Sequence, residues 1–169
     1  MRSSREAPAA NRARCLRLRQ AFRIVKRRHA RHAFDGEGAR LAGGRWNSPG
    51  QRAVYLSSTL SLAAIETFVH LADDVARLDY VYFEVSIPTE IAFAQLGGKP
   101  KGWRNEPPTS ASMRVGDRWL RMGASALLEV PSAIIPSETN IILNPAHRDV
   151  NKLRISAARA FRFDPRMWK

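Results

Sequence analysis

The sequence predicts an α+β fold, a single domain in which helices flank a mixed sheet. Candidate strands follow one another at short spacing, whereas only two segments have a convincing helical pattern. This order differs from the regular alternation of strands and helices in a doubly wound fold. The 169 residues, of which 44% are hydrophobic and 25% charged, suit one ordinary globular core.

The positive charge is concentrated at the N-terminal end. Residues 1–33 carry +10 of the formal net charge of +13, because they hold 11 of the 28 lysines and arginines against one acid, Glu6. A nucleic-acid-binding module would interleave basic and aromatic residues across its folded body. In this chain, positive and negative charges nearly balance outside residues 1–33. We therefore predict a flexible basic arm over residues 1–20 and a folded domain over residues 21–169. An organellar transit peptide has a similar composition and is an alternative for the arm.

The first half of the domain is predicted to contain two strands and one helix. Residues 21–25 and 53–56 are rich in apolar and β-branched side chains, which predicts a strand in each segment. Between them, the turn-forming residues of segment 35–50 predict a long loop, which is usually a functional feature. Possible N-caps at residues 57–59 begin a helix that runs to about Leu71, and Glu66 lies at the edge of its apolar stripe.

The second half is predicted to contain four strands and one helix. Aromatic and β-branched residues indicate a central strand over residues 80–87. A helix with Gly123 as its C-terminal stop is predicted over residues 110–122. The further strand candidates are residues 126–130, 140–143 and 160–163.

Known cofactor and metal patterns are absent from the sequence. Gly36 and Gly38 begin a G-x-G pattern, but Leu41 stands where a dinucleotide fingerprint needs its third glycine. The four histidines are not clustered, so no metal site is predicted. Cys15 is the only cysteine, which suits a reducing, cytoplasmic compartment. No apolar run approaches the ~20 residues of a membrane span, so no membrane contact is expected.

Five residues are candidates for a binding or catalytic site, although each also has an ordinary structural interpretation. Arg45, in the turn GGRWN, is either solvated or a bidentate phosphate ligand. Glu66 can be the polar flank of its helix, and Tyr55 a core residue. Ser132 and Asn144, each adjacent to a proline, are compatible with simple turns.

The order of these segments resembles the RES-domain toxins, the partners of Xre-type antitoxins. The similarity covers residues 22–166. Its matching blocks are FRI (22–24), GEGARLAGGRWNSPG (36–50), AVYLSSTLSLAAIETFVHL (53–71), WRNEPP (103–108), GDRWL (116–120), LLEVPSAIIP (127–136), NIILNPAH (140–147) and FRFDPR (161–166).

The resemblance implies an ADP-ribosyltransferase-like fold and an enzyme that breaks the bond between nicotinamide and ribose in NAD+. NAD+ is then a substrate, and no further cofactor is expected. The residues that give the family its name fall on Arg45, Glu66 and Ser132, and the aromatic site residue falls on Tyr55. Asn144 and Arg23 are supporting candidates. The implied partners are a helix-turn-helix antitoxin of the Xre type and a second copy of the chain. Nucleic acid would be contacted only through the antitoxin or the basic arm.

The implied chemistry suits a site with one carboxylate. Nicotinamide leaves as a neutral base, so the second, acidic carboxyl of ordinary glycosidases is not needed. Glu66 would stabilise the cationic ribose, and Arg45 would bind the pyrophosphate. The acceptor of the ribosyl group can be water, phosphate or a protein side chain, so protein ADP-ribosylation is an alternative function. A basic nucleic-acid-binding module is a more distant one.

Overall fold

One curved mixed sheet forms the framework of the protein. The computed structural model describes residues 18–71 and 79–168, which include eight strands. These are β1 (Leu18–Lys26), β2 (Val54–Ser57), β3 (Tyr80–Pro88), β4 (Phe93–Gln95), β5 (Leu127–Pro131), β6 (Thr139–Leu143), β7 (Arg154–Ile155) and β8 (Arg159–Phe161). The sheet order is β4-β5-β6-β2-β1-β3-β7, and β8 also pairs with β3. Only β4 and β5 pair in parallel. The predicted α+β class with a mixed sheet is confirmed.

Three α-helices flank this sheet. They are α1 (Glu37–Ala42), α2 (Leu60–Phe68) and α3 (Ser110–Met122), and short 3-10 turns cover Arg27–His32, Arg148–Lys152 and Pro165–Trp168. Helix α3 has the predicted bounds and ends at Gly123, which adopts the left-handed conformation expected of a C-terminal glycine. Within the described part of the chain, no helix is long and apolar enough to cross a bilayer.

The first strand begins earlier than the sequence predicts. All nine residues of Leu18–Lys26 pair with β3, so the boundary placed at residue 21 falls inside β1. The predicted strand over residues 80–87 lies between β1 on one side and the short β7 and β8 on the other. Residues 1–17 of the predicted arm lie outside the described residues.

Because the pairing of β1 with β3 begins at Leu18, the structure predicts how removal of N-terminal residues affects stability. Removing residues 1–17 should leave the thermal unfolding temperature close to that of the full chain, since β1 is kept. It should also weaken binding to a DNA or RNA oligonucleotide and reduce the salt dependence of that binding, because five arginines and one glutamate are lost. Removing residues 1–20 should lower the unfolding temperature, because three pairs of the β1–β3 ladder are then missing. Equal unfolding temperatures for the two truncations would contradict this.

The Gly-rich segment 35–50 is not the continuous loop that the sequence predicts, because it contains α1. Asp35 accepts a hydrogen bond from the backbone N–H of Glu37 at 2.8 Å, which forms a turn just before the helix. Glu37 then pairs with Arg40 one turn later, with an Nε to Oε1 distance of 2.8 Å. Gly36 and Gly43 flank the helix with φ of 74° and 72°, which favour glycine. A six-residue helix held by such local contacts is too short to show an apolar period.

The two faces of the sheet have different coverings. On one face, side chains including Ala21, Val54, Val85 and Leu143 form an apolar cluster. The other face carries the helices: Trp119 of α3 packs near Leu128 and Ile142, and Ala63 of α2 packs near Ile24. Phe22, Ser57, Asn140 and Val130 lie opposite one another in register and therefore share this helical face.

Candidate active site

A carboxylate held by two hydrogen-bond donors lies on the helical face of the sheet. Glu66 projects from the last turn of α2 toward Ser132, which follows β5, and toward Asn140 of β6. Its Oε1 accepts a hydrogen bond from Ser132 Oγ at 2.7 Å and one from Asn140 Nδ2 at 2.5 Å. The second oxygen, Oε2, has no hydrogen-bond partner among residues 18–71 and 79–168. One oxygen is therefore fixed by two donors, and the other makes no hydrogen bond within those ranges.

The directions of these hydrogen bonds are determined by their neighbours. Ser132 Oγ accepts the backbone N–H groups of Ile134 at 3.1 Å and Ile135 at 2.9 Å, so its own hydrogen must go to Glu66. Asn140 Oδ1 accepts a hydrogen bond from Ser57 Oγ at 2.8 Å, which turns the amide NH2 group toward the carboxylate. Both Ser132 and Asn140 thus act as donors, and Glu66 Oε1 is the acceptor of both hydrogen bonds.

Local sequence signals place Glu66 in this position. Thr59 caps α2 by accepting the N–H of Leu62 at 3.0 Å, and Leu62 and Ala63 bury the face of the helix that packs on the sheet. Glu66, one turn after Leu62, is half-buried beside them. Ser132 is fully buried, and its backbone N–H donates to the carbonyl of Glu138 at 2.9 Å, which closes the loop between β5 and β6.

Tyr55 connects the sheet to the GGRWN turn. Its hydroxyl donates to Asn47 Oδ1 at 2.7 Å and accepts the N–H of Trp46 at 3.0 Å. Asn47 is fully buried and donates to the carbonyls of Ala39, Ser48 and Gln51. Burial raises the pKa of the Tyr55 hydroxyl, and the Trp46 N–H opposes this in part. The hydroxyl is thus a structural group at the root of the turn, while the ring faces the same side as Ser57.

Helix α3 holds the same turn from the other side. Gly116 packs so closely that a Cβ atom there would lie 1.7 Å from the Trp46 carbonyl oxygen. One residue later, Asp117 accepts the Ser48 N–H at 2.9 Å and the Ser48 hydroxyl at 2.7 Å. The turn that carries Arg45 is therefore anchored by β2, by α3 and by Asn47.

The guanidinium of Arg45 points toward the segment between β4 and α3. Its Nη1 donates to the carbonyls of Trp103 at 2.7 Å and Asn105 at 2.8 Å, and its Nη2 lies 3.1 Å from Glu106 Oε2. The side chain is only 16% exposed. Trp103 also stacks on Trp46, with ring centroids 6.4 Å apart. Arg45 is therefore a largely buried cation with a defined set of protein partners.

The remaining candidates have structural partners. Arg23 Nη1 donates to the Tyr55 carbonyl at 2.7 Å across the β1–β2 junction, and burial lowers the pKa of this guanidinium to about 10, against the opposing effect of Asp35. Asn144 is buried, donates to the Leu120 carbonyl at 3.2 Å and accepts the Ala146 N–H at 3.1 Å. It joins the end of β6 to α3, and the structure does not bring it to Glu66.

The sequence predicts some members of this group and not others. Glu66 and Ser132 are in direct contact, and Tyr55 shares their face of the sheet through Ser57. Asn140 and Ser57 were not singled out. Asparagine is depleted in strands, so the Asn in the strand TNIIL is unusual. That it faces the Ser in VYLS can be recognised only once the β2–β6 register is known.

An open cleft of about 700 Å³ lies past the end of β2. Its lining residues are Arg19, Gln20, Ser58, Thr59, Ser61, Ser137, Glu138, Thr139 and Ile141. The cleft shares the β5–β6 loop with Ser132, but none of the predicted site residues lines it. In the described ranges, no three His, Cys, Asp or Glu side chains are grouped closely enough to hold a metal ion.

Comparison with known proteins identifies the family. The family model described as "RES domain" matches residues 20–164. The chain is 38% identical to "Toxin Res" of Yersinia enterocolitica over 148 residues, which cover 86% of this chain and 97% of that protein. It is 40% identical to the "Prs ADP-ribosylating toxin" of a Sphingobium species over 138 residues, 79% of this chain and 86% of the relative.

A solved structure shares the fold at low sequence identity. The crystal structure of the M. tuberculosis MbcT-MbcA toxin-antitoxin complex contains a chain that matches with a TM-score of 0.70 and 17% identity. The match covers 89% of this chain and 87% of that chain. At this identity the likeness concerns the arrangement of strands and helices. With the family model spanning most of the sequence and two relatives well above 30% identity, the chain belongs to the RES-domain family.

Proposed function

We propose that this protein binds NAD+ and cleaves its bond between nicotinamide and ribose, as the toxin of a toxin-antitoxin pair. The observation that carries the proposal is the state of Glu66. Two donors fix Oε1, and Oε2 has no partner in the described residues. A carboxylate held in this way is preorganised to face a positive charge that develops on a ligand.

The reaction places that charge on the ribose. When the C1′–N bond breaks, its electron pair leaves with nicotinamide, which becomes neutral and needs no proton. The ribose becomes oxocarbenium-like, and Glu66 Oε2 stabilises it and accepts the 2′-hydroxyl hydrogen bond. Water or phosphate then attacks C1′. With water, the products are ADP-ribose, nicotinamide and one proton.

The other site residues have roles that fit their contacts. Arg45 would bind the pyrophosphate, and the ring of Tyr55 would pack against nicotinamide while its hydroxyl stays with Asn47. Ser132 is buried and already makes three hydrogen bonds, which favours positioning of Glu66 over contact with the ribose. Asn144 would contribute to NAD+ binding indirectly, by fixing the end of α3.

A second candidate function is transfer of ADP-ribose to a protein side chain. The relative from Sphingobium is named an ADP-ribosylating toxin, and the two reactions share the bond cleavage at Glu66. They differ in whether water, phosphate or a nucleophilic side chain reaches C1′.

The proposed partners follow from the toxin assignment. We expect a helix-turn-helix antitoxin of the Xre type to bind the chain and restore growth, and a homodimer to form. The compartment is the cytoplasm, where NAD+ depletion would arrest growth. The structurally similar chain from M. tuberculosis was crystallised in a toxin-antitoxin complex, which supports the expectation of an antitoxin.

Nicotinamide release from NAD+ by the purified protein tests the proposal. The reaction is run with and without phosphate, and with NAD+ labelled in the adenylate part in the presence of a cell extract. Free ADP-ribose indicates hydrolysis, a phosphorylated ADP-ribose indicates phosphorolysis, and label on a protein indicates transfer. Absence of nicotinamide in every arm would refute the proposed function.

Ser132→Ala tests whether Ser132 positions the carboxylate. We expect kcat for nicotinamide release to fall by roughly tenfold or more while KM changes little, because a contact to Glu66 is lost and the ligand contacts are kept. Ser125→Ala is the matched control, since Ser125 is also a buried serine with two hydrogen bonds and does not touch Glu66. Both variants should have a lower unfolding temperature, and only Ser132→Ala should have a lower kcat. An equal kcat in the two variants would assign Ser132 to folding alone.

A further inference from the structure

The segment from Trp103 to Glu106, here called the strap, connects the two loops that carry Arg45 and Ser132. At one end, Arg45 donates to the carbonyls of Trp103 and Asn105. At the other, Arg104 Nε donates to the carbonyl of Ala133, the residue after Ser132, at 3.1 Å. Stacking of Trp103 on Trp46 and the Lys99 ammonium 5.3 Å from the Trp103 ring centroid hold the strap in place.

The contacts of Arg45 leave only part of its guanidinium for a ligand. A guanidinium has five N–H donors, and both hydrogens of Nη1 are directed to strap carbonyls. A bidentate contact with a phosphate needs two adjacent donors, so with Nη1 taken it must use Nη2 together with Nε. Nη2 is the nitrogen that faces Glu106 Oε2 at 3.1 Å.

Glu106 is suited to be displaced. Its side chain is 72% exposed, against 16% for Arg45, so the carboxylate can turn into solvent while the guanidinium stays in place. A carboxylate and a phosphate oxygen are both anionic acceptors for the same donor, and each repels the other at short distance. Because the two anions would lie side by side at Nη2, their repulsion makes the binding of one unfavourable for the other.

We propose that Glu106 is an internal competitor for the diphosphate of the ligand at Arg45, and that it sets the affinity of the site. This inference rests on the proposed function. The ligand class is a nucleoside diphosphate such as the ADP-ribosyl part of NAD+. In the free protein Glu106 neutralises Arg45, and binding exchanges that carboxylate for the pyrophosphate. The exchange lowers the affinity of the site without a change in the chemistry at Glu66.

Direct binding of ADP-ribose by calorimetry tests the proposal, because this ligand lacks the bond that is cleaved. For Glu106→Gln we expect the Kd to fall roughly two- to fivefold at low salt, the range set by an exposed ion pair. This gain in affinity for ADP-ribose should become smaller as the ionic strength rises. In turnover assays, KM for NAD+ should fall while kcat stays unchanged.

Glu90→Gln is the matched control, since it removes the same charge from an exposed position with no contact to Arg45. Its Kd should equal that of the unaltered chain, so an equal gain in both variants would overturn the proposal in favour of a general charge effect. A weaker or unchanged Kd for Glu106→Gln, with ADP-ribose still bound by the unaltered chain, would overturn the competitor role alone. If no variant binds ADP-ribose or NAD+, the proposed function and this inference both fail.

Discussion

Glu66→Gln is expected to fold normally, to bind NAD+ and to release nicotinamide at least ~100-fold more slowly than the unaltered chain. Loss of one electrostatic contact to a charge that exists only in the transition state commonly reduces the rate by 10² to 10³. Glutamine has the size of glutamate, and its amide oxygen can still accept hydrogen bonds from Ser132 and Asn140. The change therefore removes the negative charge and leaves most of the packing.

The measurement is single-turnover nicotinamide release, together with the Kd for NAD+ and the unfolding temperature. Glu90→Gln serves here too as a charge control and should keep full activity. A Glu66→Gln variant with nearly unaltered turnover would remove this carboxylate from the mechanism. A variant that loses both binding and thermal stability would assign it to the structure instead.

Gly116→Ala should be the most damaging of the glycine substitutions. A Cβ atom at this position would lie 1.7 Å from the Trp46 carbonyl oxygen and 2.7 Å from its carbon, which are backbone atoms with little room to move. Overpacking of this kind typically costs 1–3 kcal/mol in the free energy of unfolding. Because Arg45 precedes Trp46, we expect the displaced turn to raise KM for NAD+ as well.

Gly38→Ala provides the comparison for that substitution. Gly38 is also a helical glycine, and a Cβ atom there would have no neighbour within 4 Å. Replacing glycine by alanine in an open helical position leaves the stability unchanged or raises it by up to about 1 kcal/mol. The unfolding temperature should therefore fall for Gly116→Ala and not for Gly38→Ala. If both shift by the same amount, the tight contact between α3 and the turn is not a determinant of stability.

The elements that the sequence predicts well are those with long or well-capped patterns. Helix α3 has its predicted bounds because its 13 residues show a clear amphipathic period and end at a glycine. The strands β4 and β7, with three and two residues, were not predicted. Such short strands form only because a neighbouring strand offers hydrogen-bond partners, and that information is not local in the sequence.

The residues of the candidate site could be named from the sequence, but most of their contacts could not. The family resemblance pointed to Glu66 and Ser132, which lie 66 positions apart and share a hydrogen bond. It gave no sign that Arg45 is held by residues 58 to 61 positions away in the strap. Nor could it separate Asn140, which contacts Glu66, from Asn144, which does not. The register between β2 and β6 decides that difference.

The junction between β1 and β2 is a single register pair, Phe22 with Ser57. In contrast, β1 pairs with β3 over nine residues and β2 with β6 over four. The two parts of the sheet are therefore joined by one backbone pair, which is reinforced by the Arg23 contact to the Tyr55 carbonyl and by the packing of α2 against both strands. Ser57 belongs to this pair and donates to Asn140, which in turn donates to Glu66. The narrowest junction of the sheet thus lies only two hydrogen bonds from the candidate catalytic carboxylate.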